Sequence, residues 1–296
     1  MQNSSFNFAS VFAIMVLLVF SYITFLGLAY WQEGDLILPM ALSLGLIVVV
    51  SFCIYVMCWA KANWNRKVLQ IILGLIALII FLLASRPFSN FINVLNQSDT
   101  IKAKMTTMCE AAINLDDAYA EYVSSRISNY KKRLSYVSEM KNVRPSDYQK
   151  YLGGAAGAND KARIENLSKS LYSKLMPDST AKIVRERHKW LIEASNTSVW
   201  NPLAAANINK IGEEVDDWKE NYRKLSSVIY DGEDAKEFNG NESNFNNEFS
   251  GLMQTYNGFH APSAFAMIIS LVCFTIMMLP YFVTPVDLRG NGEDDD

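Results

Sequence analysis

The stretch "VLQIILGLIALIIFLLASRPFSNFINVLNQSDT", residues Val68–Thr100, changes character halfway along its length. From Val68 to Ala84 it carries no charged side chain, and it is close to the roughly 20 residues a helix needs to cross a bilayer. Arg86, Pro87 and a run of Ser and Asn follow. Proline removes a backbone donor and disfavours helical continuation through the residue before it. The stretch therefore predicts a span that ends before Pro87 and gives way to a short interfacial segment. The fold class turns on this reading, because it puts membrane on one side and a polar domain on the other.

Working outward, three more segments lack charged side chains at span length: Val11–Tyr30, Leu36–Ala60 and Ser263–Val283. The chain of 296 residues is 50% hydrophobic with a net charge of -3, ordinary values that hide this clustering. The expectation is an all-α, four-span integral membrane protein with a large helical-bundle insert. Its parts are residues 1–84 with three transmembrane helices, an exported bundle over 85–261, a fourth span over 262–284 and an acidic tail over 285–296. The first span has no Lys or Arg before it in "MQNSSFNFAS", unlike the positive leader of a cleaved signal peptide, and is kept as a span. Tyr30, Trp31, Trp59, Trp64 and Tyr281 fall near the span ends, where aromatic rings bury a face and hydrate an edge.

Orientation follows from the short loops. "KANWNRK" carries Lys61, Arg66 and Lys67, whereas "WQEGD" carries Glu33 and Asp35. Excess Lys and Arg mark the cytoplasmic side. Both termini are thus expected in the cytoplasm and residues 85–261 outside it, in a bacterial inner membrane, although Arg86, Lys102 and Lys104 pull the other way. Cys53, Cys58 and Cys273 lie in spans, leaving Cys109 alone in the insert. No disulfide can form within the insert, though one between two copies can. Asn96, Asn166, Asn196 and Asn241 each open an Asn-X-Ser triplet, which matters only in a eukaryotic secretory pathway.

Within the insert two long seams stand out. Met105, Met108, Ala112, Leu115, Tyr119 and Tyr122 recur at three and four, a helical stripe. The phase then steps through Tyr119, Val123 and Ile127 before Tyr130, Leu134 and Val137, which reads as a stutter. "NINKIGEEVDDWKENYRKLSSVIY", Asn207–Tyr230, keeps phase through Ile208, Ile211, Val215, Trp218, Tyr222, Leu225 and Ile229. Such spacing suits a helix packed at a shallow angle in a bundle. Its acids, Glu213, Glu214, Asp216 and Asp217, precede Arg223 and Lys224, in accord with the helix dipole. Shorter helices are expected around Ile164–Leu175 and Ile183–Ala194. Phe245, Phe249, Met253 and Tyr256 can form a docking helix in the otherwise polar return to the membrane.

Reactive signatures are sparse. "GGAAG" at 153–157 follows no strand and lacks the Lys-Ser/Thr ending of a phosphate loop, so it reads as a loop. His188, in "RERHKW", reads as a surface residue, and His260 stands at the membrane entrance, where an imidazole can sense pH. Cys53 and Cys58 are five apart, off a common helical face. Glu110, Asp117 and Glu121, and Glu213 with Asp217, are carboxylate groups that read as solvated faces. No catalytic residue, cofactor or metal site is expected, and no nucleic-acid partner. The spans hold no Asp, Glu, Lys, Arg or His of the kind that serves ion-coupled transport, while Ser43, Ser51, Gly45, Gly74 and Thr275 suit helix packing and Pro280 is placed to bend or end the fourth span.

The order of three spans, a large insert and a fourth span resembles that of tetraspanins in topology alone; the insert has one cysteine and no Cys-Cys-Gly motif, so no family is assigned. The expected function is a scaffold or signal-coupling subunit whose exported bundle binds a protein partner. It would contact membrane lipid and act as a homo-oligomer or within a membrane-protein complex. The alternative is a channel or transporter subunit in which the bundle controls access to an oligomeric pore. A membrane enzyme using Glu121 or His188 ranks third.

Overall fold

A computed structural model of the chain describes residues 8–32, 34–63, 66–153, 159–229, 236–240 and 244–285. The fold is all-α. Its helices are α1 (Phe8–Trp31), α2 (Ile37–Asn63), α3 (Lys67–Asn96), α4 (Ser98–Glu139), α5 (Pro145–Tyr151), α6 (Asp160–Leu175), α7 (Asp178–Ser195), α8 (Pro202–Ser226), α9 (Phe245–Asn257), α10 (Ala264–Met277) and α11 (Leu279–Val283), with a 3-10 turn at Gly258–His260. Among the described residues four stretches are long and apolar enough to cross a membrane: Phe8–Trp31, Ile37–Ala62, Lys67–Asn96 and Ala264–Val283. The last is broken at Met278, with Pro280 at the start of α11.

The predicted stop at Pro87 does not occur. Helix α3 continues through Pro87 to Asn96. On the turn after Pro87, α1 presents Gly27 to α3: a Cβ there would lie 1.8 Å from the Pro87 carbonyl oxygen. Asn90 Nδ2 donates to the Gly27 carbonyl at 2.9 Å. A proline can remain inside a spanning helix, and here α1 packs against the turn that follows it.

The chain divides into two compact units, residues 1–101, 197–209 and 253–296, and residues 102–196 and 210–252. The first holds the spans. Phe20 stacks on Phe81 and Phe88, each at 4.8 Å, and Phe274 packs on Phe81 at 4.8 Å. With Leu17, Leu46, Val50 and Ala266 they fill the interior between the spans. Leu42, Val48, Phe52, Ile71, Ile79, Leu83, Leu271 and Val272 are exposed. An apolar outer face around an apolar core is what a bilayer solvates.

Residues flanking the spans belong to this unit for visible reasons. The Tyr22 and Tyr30 hydroxyls donate to the Trp200 and Val199 carbonyls at 2.7 and 3.0 Å, and Trp200 meets Phe91 edge-on at 4.9 Å. Gly34, at φ 93°, faces the backbone of Ala206, whose Cα would lie 2.6 Å from an added Cβ; only glycine combines that dihedral with that approach. Asn93 Nδ2 donates to the Phe259 and Ala261 carbonyls at 3.0 and 2.9 Å, and the Ser263 amide donates to Ser89 Oγ at 2.7 Å. The turns of α3 beyond Pro87 thus fix the entry to α10.

In the second unit the buried positions of α4 include Met105, Met108, Ala112, Leu115, Tyr119, Val123, Arg126, Tyr130, Leu134 and Val137. Arg126 occupies the seam where Ile127 was expected, and Ile127 is half-buried. From Leu115 onward the spacing is four, four, three, repeated, an eleven-residue period. Arg126 Nη1 donates to the Ser226 carbonyl at 2.6 Å, and its Nη2 donates to the Val228 carbonyl. Unpaired carbonyls at a helix C-terminus favour a cation, and here α8 ends. The expected α8 seam is buried from Ile208 to Tyr222; Leu225 is half-buried, and Ile229 lies past the helix and is exposed.

Candidate functional site

Asp116 on α4 is buried among three helices. The Tyr222 hydroxyl, on α8, donates to its Oδ1. On α7, His188 Nε2 lies 3.1 Å from Oδ2 and Arg187 Nη1 lies 3.6 Å from Oδ1. Arg187 Nη1 also donates to the Tyr222 hydroxyl at 3.4 Å. The Tyr222 ring stacks on Tyr119 at 4.0 Å, and the Tyr119 hydroxyl donates to the Leu175 carbonyl at 2.7 Å. One carboxylate therefore ties α4, α7 and α8 together.

Burial pushes the Asp116 carboxyl up from the usual carboxylate range, against the downward pull of the Tyr222 hydrogen bond and of Arg187 and His188. Burial first, and then the facing Asp116, raise Tyr222 well above the usual phenol range. Desolvation disfavours a charged form, whereas a neighbouring cation or donor favours a carboxylate. Burial carries the balance here.

Arg187 continues outward from this network. Its guanidinium lies 4.2 Å from the Trp218 ring centroid, within cation–π range. The two residues floor a groove of about 430 Å³ between α7 and α8, whose walls are Ile183, Glu186, Trp190, Lys210 and Glu214. Trp218 Nε1 donates to Glu214 Oε2 at 3.2 Å, Trp190 meets Trp218 edge-on at 6.4 Å, and Lys210 Nζ sits 5.3 Å from the Trp190 ring. The groove offers two indoles, two cations and two carboxylates. It can grip an apolar side chain between ionic contacts.

The residues singled out in the sequence fall in different places. His188 is half-buried and bonded to Asp116, not a surface residue. Glu110, Asp117, Glu121, Glu213 and Asp217 are all exposed and outside the groove. His260 stacks on Trp31 at 5.0 Å. Cys109 is buried, and burial raises its thiol to about 12. Gly153 has φ 61°, while residues 154–157 of "GGAAG" and the tail from 286 lie outside the described residues. Among the described residues no group of three or more His, Cys, Asp or Glu could hold a metal.

Sequence reasoning missed Asp116, although it left a signal. It lies four after Ala112 and three before Tyr119, in phase with the apolar stripe, where a carboxylate must either be paired or cost stability. Compared with protein-family models, with curated proteins and with solved structures, the chain matches none of them.

Proposed function

We propose that the chain is a membrane-anchored docking subunit whose helical domain binds a protein partner in the groove between α7 and α8. The observation that supports this is the pairing of Trp190 and Trp218 with Arg187, which Asp116 holds from below. Trp and Arg are enriched among the residues that dominate binding energy at interfaces, and a pre-fixed guanidinium loses little freedom when a partner arrives. The domain lies on the extracytoplasmic side of a bacterial inner membrane, and the subunit works as a homo-oligomer or in a membrane-protein complex. Signal coupling through the third and fourth spans extends the same reading.

A photo-cross-linking residue placed at Glu186, on the groove wall, should give a discrete adduct in intact cells, and Trp190→Ala should remove it. The same probe at Lys169, an exposed position on α6, should give none. Equal adducts at both positions, or an adduct indifferent to Trp190→Ala, would sink the proposal. The channel alternative requires several copies, since Phe20, Phe81 and Phe88 fill the interior between the spans of one chain.

A further inference from the structure

A second cavity lies among the spans. It measures about 570 Å³, and its lining runs from Trp31, Gln32 and Arg86 to Leu46, Val49 and Ile80. That volume falls in the range of roughly 300–1,000 Å³ typical of small-molecule sites. Its depth is set by helix geometry. The nineteen steps along the helix from Lys67 to Arg86 cover about 28 Å at ~1.5 Å each, nearly one hydrocarbon thickness of about 30 Å. Arg86 therefore stands at headgroup level, beside Trp31 at the end of α1. Ile80 lies about 9 Å below Arg86, and Val49 about 18 Å below the start of α2. The groove descends through one leaflet to just past the bilayer midplane.

Its two ends differ chemically. The deep end is aliphatic, and Gly45 opens it: a Cβ there would meet nothing within 4 Å. At the shallow end Arg86 is exposed, and among the described residues it has no ion pair and no hydrogen-bond partner. Gln32 Oε1 is buried and likewise lacks a donor. A buried acceptor without a donor is costly, and an arginine at this depth seeks an anion. A ligand that suits both ends supplies an acyl chain, a negative charge and a hydrogen-bond donor together.

We infer that this groove binds one phospholipid, its acyl chain between α1, α2 and α3, its phosphate on Arg86 and a headgroup hydroxyl or ammonium on Gln32. The site is independent of the α7–α8 groove and survives if that reading fails.

Native mass spectrometry of the full chain in mild detergent tests the assignment. Phosphatidylglycerol should be retained at one per chain, and more strongly than diacylglycerol of the same acyl length. Arg86→Gln should weaken phosphatidylglycerol about fivefold, the effect of one basic residue at a headgroup, and leave diacylglycerol unchanged. Gly45→Leu, which fills the groove, should abolish both. Arg86→Gln is exposed and keeps the test independent of whether Gly45→Leu folds. Binding that neither variant alters overturns the assignment. So does glycerol phosphate retained as tightly as the lipid, which marks a free-anion site, or a lipid-free dimer dissolved by Gly45→Leu, which marks a second copy as the occupant.

Discussion

At Asp116 burial and bonding pull in opposite directions, and the difference can be measured. Its folded carboxyl titrates above the ordinary value of about 3.9. The folded state then binds more protons than the unfolded one between those two values, so this group's contribution is fully present below pH ~4 and is lost as pH rises through the raised value. Asp160, Glu165 and Glu220 are held below the usual range, foremost by hydrogen bonds from Tyr148, Lys131 and Arg223 respectively. Their contribution has the opposite sign and is lost as pH falls, so raw stability curves mix the two. Asp116→Asn isolates one of them, because the amide keeps an acceptor for Tyr222 and has no charge to desolvate. The variant should gain on the wild-type chain as pH rises from about 4 to 7, read as a difference in melting temperature in detergent. A difference that stays flat across the window contradicts the account.

Among the elements, the contact of α1 with α3 is the most demanding sterically. Gly27→Ala puts a methyl group into the Pro87 carbonyl, and two backbones cannot yield as a flexible side chain can. Overpacking of this kind costs about 1–3 kcal/mol or more, so the melting temperature in detergent should fall. Gly251, inside α9, offers the control: a Cβ there meets nothing within 4 Å, and Gly251→Ala should be stabilising by about 0.5–1 kcal/mol through helix propensity. Equal effects at the two glycines would rule out a specific close approach. The same contact marks a limit of legibility. The spans are continuous apolar runs and the seams are periodic, and both signals are local, so they could be read directly. Pro87 looks like a stop because proline disfavours helix continuation; that α3 runs on and packs against Gly27 depends on a neighbour far along the chain, where sequence pattern is silent. Arg126 was passed over for Ile127 because hydrophobicity ranks them that way, yet the carbonyls ending α8 select the guanidinium. Asp116 was hidden for the same reason, since its partners come from α7 and α8.

For the whole molecule, the division between lipid-facing and water-facing surface is visible in composition, but the side of the membrane is not. Orientation rests on Lys61, Arg66 and Lys67 against Glu33 and Asp35, with Arg86, Lys102 and Lys104 opposed. Arg86 loses its vote if it binds lipid phosphate, because a charge held at the headgroups by a ligand no longer reports an excess of loop charge. That leaves the 61–67 loop as the dominant signal and predicts the helical domain outside the cytoplasm. In a chain with its four cysteines replaced, Lys189→Cys on the exposed side of α7 should react in intact cells with a maleimide that cannot cross the membrane. Lys67→Cys, exposed at the start of α3, should react only after the cells are opened. The reverse pattern would put residues 102–196 in the cytoplasm and with them the groove at Trp190, so that any partner would have to be cytoplasmic. Labelling of both sites in intact cells would mean that the chain inserts in two orientations, as near-balanced charges allow. Arg86→Gln should leave the pattern unchanged if its charge is spent on lipid. If the variant sharpens a mixed pattern, Arg86 counts towards topology.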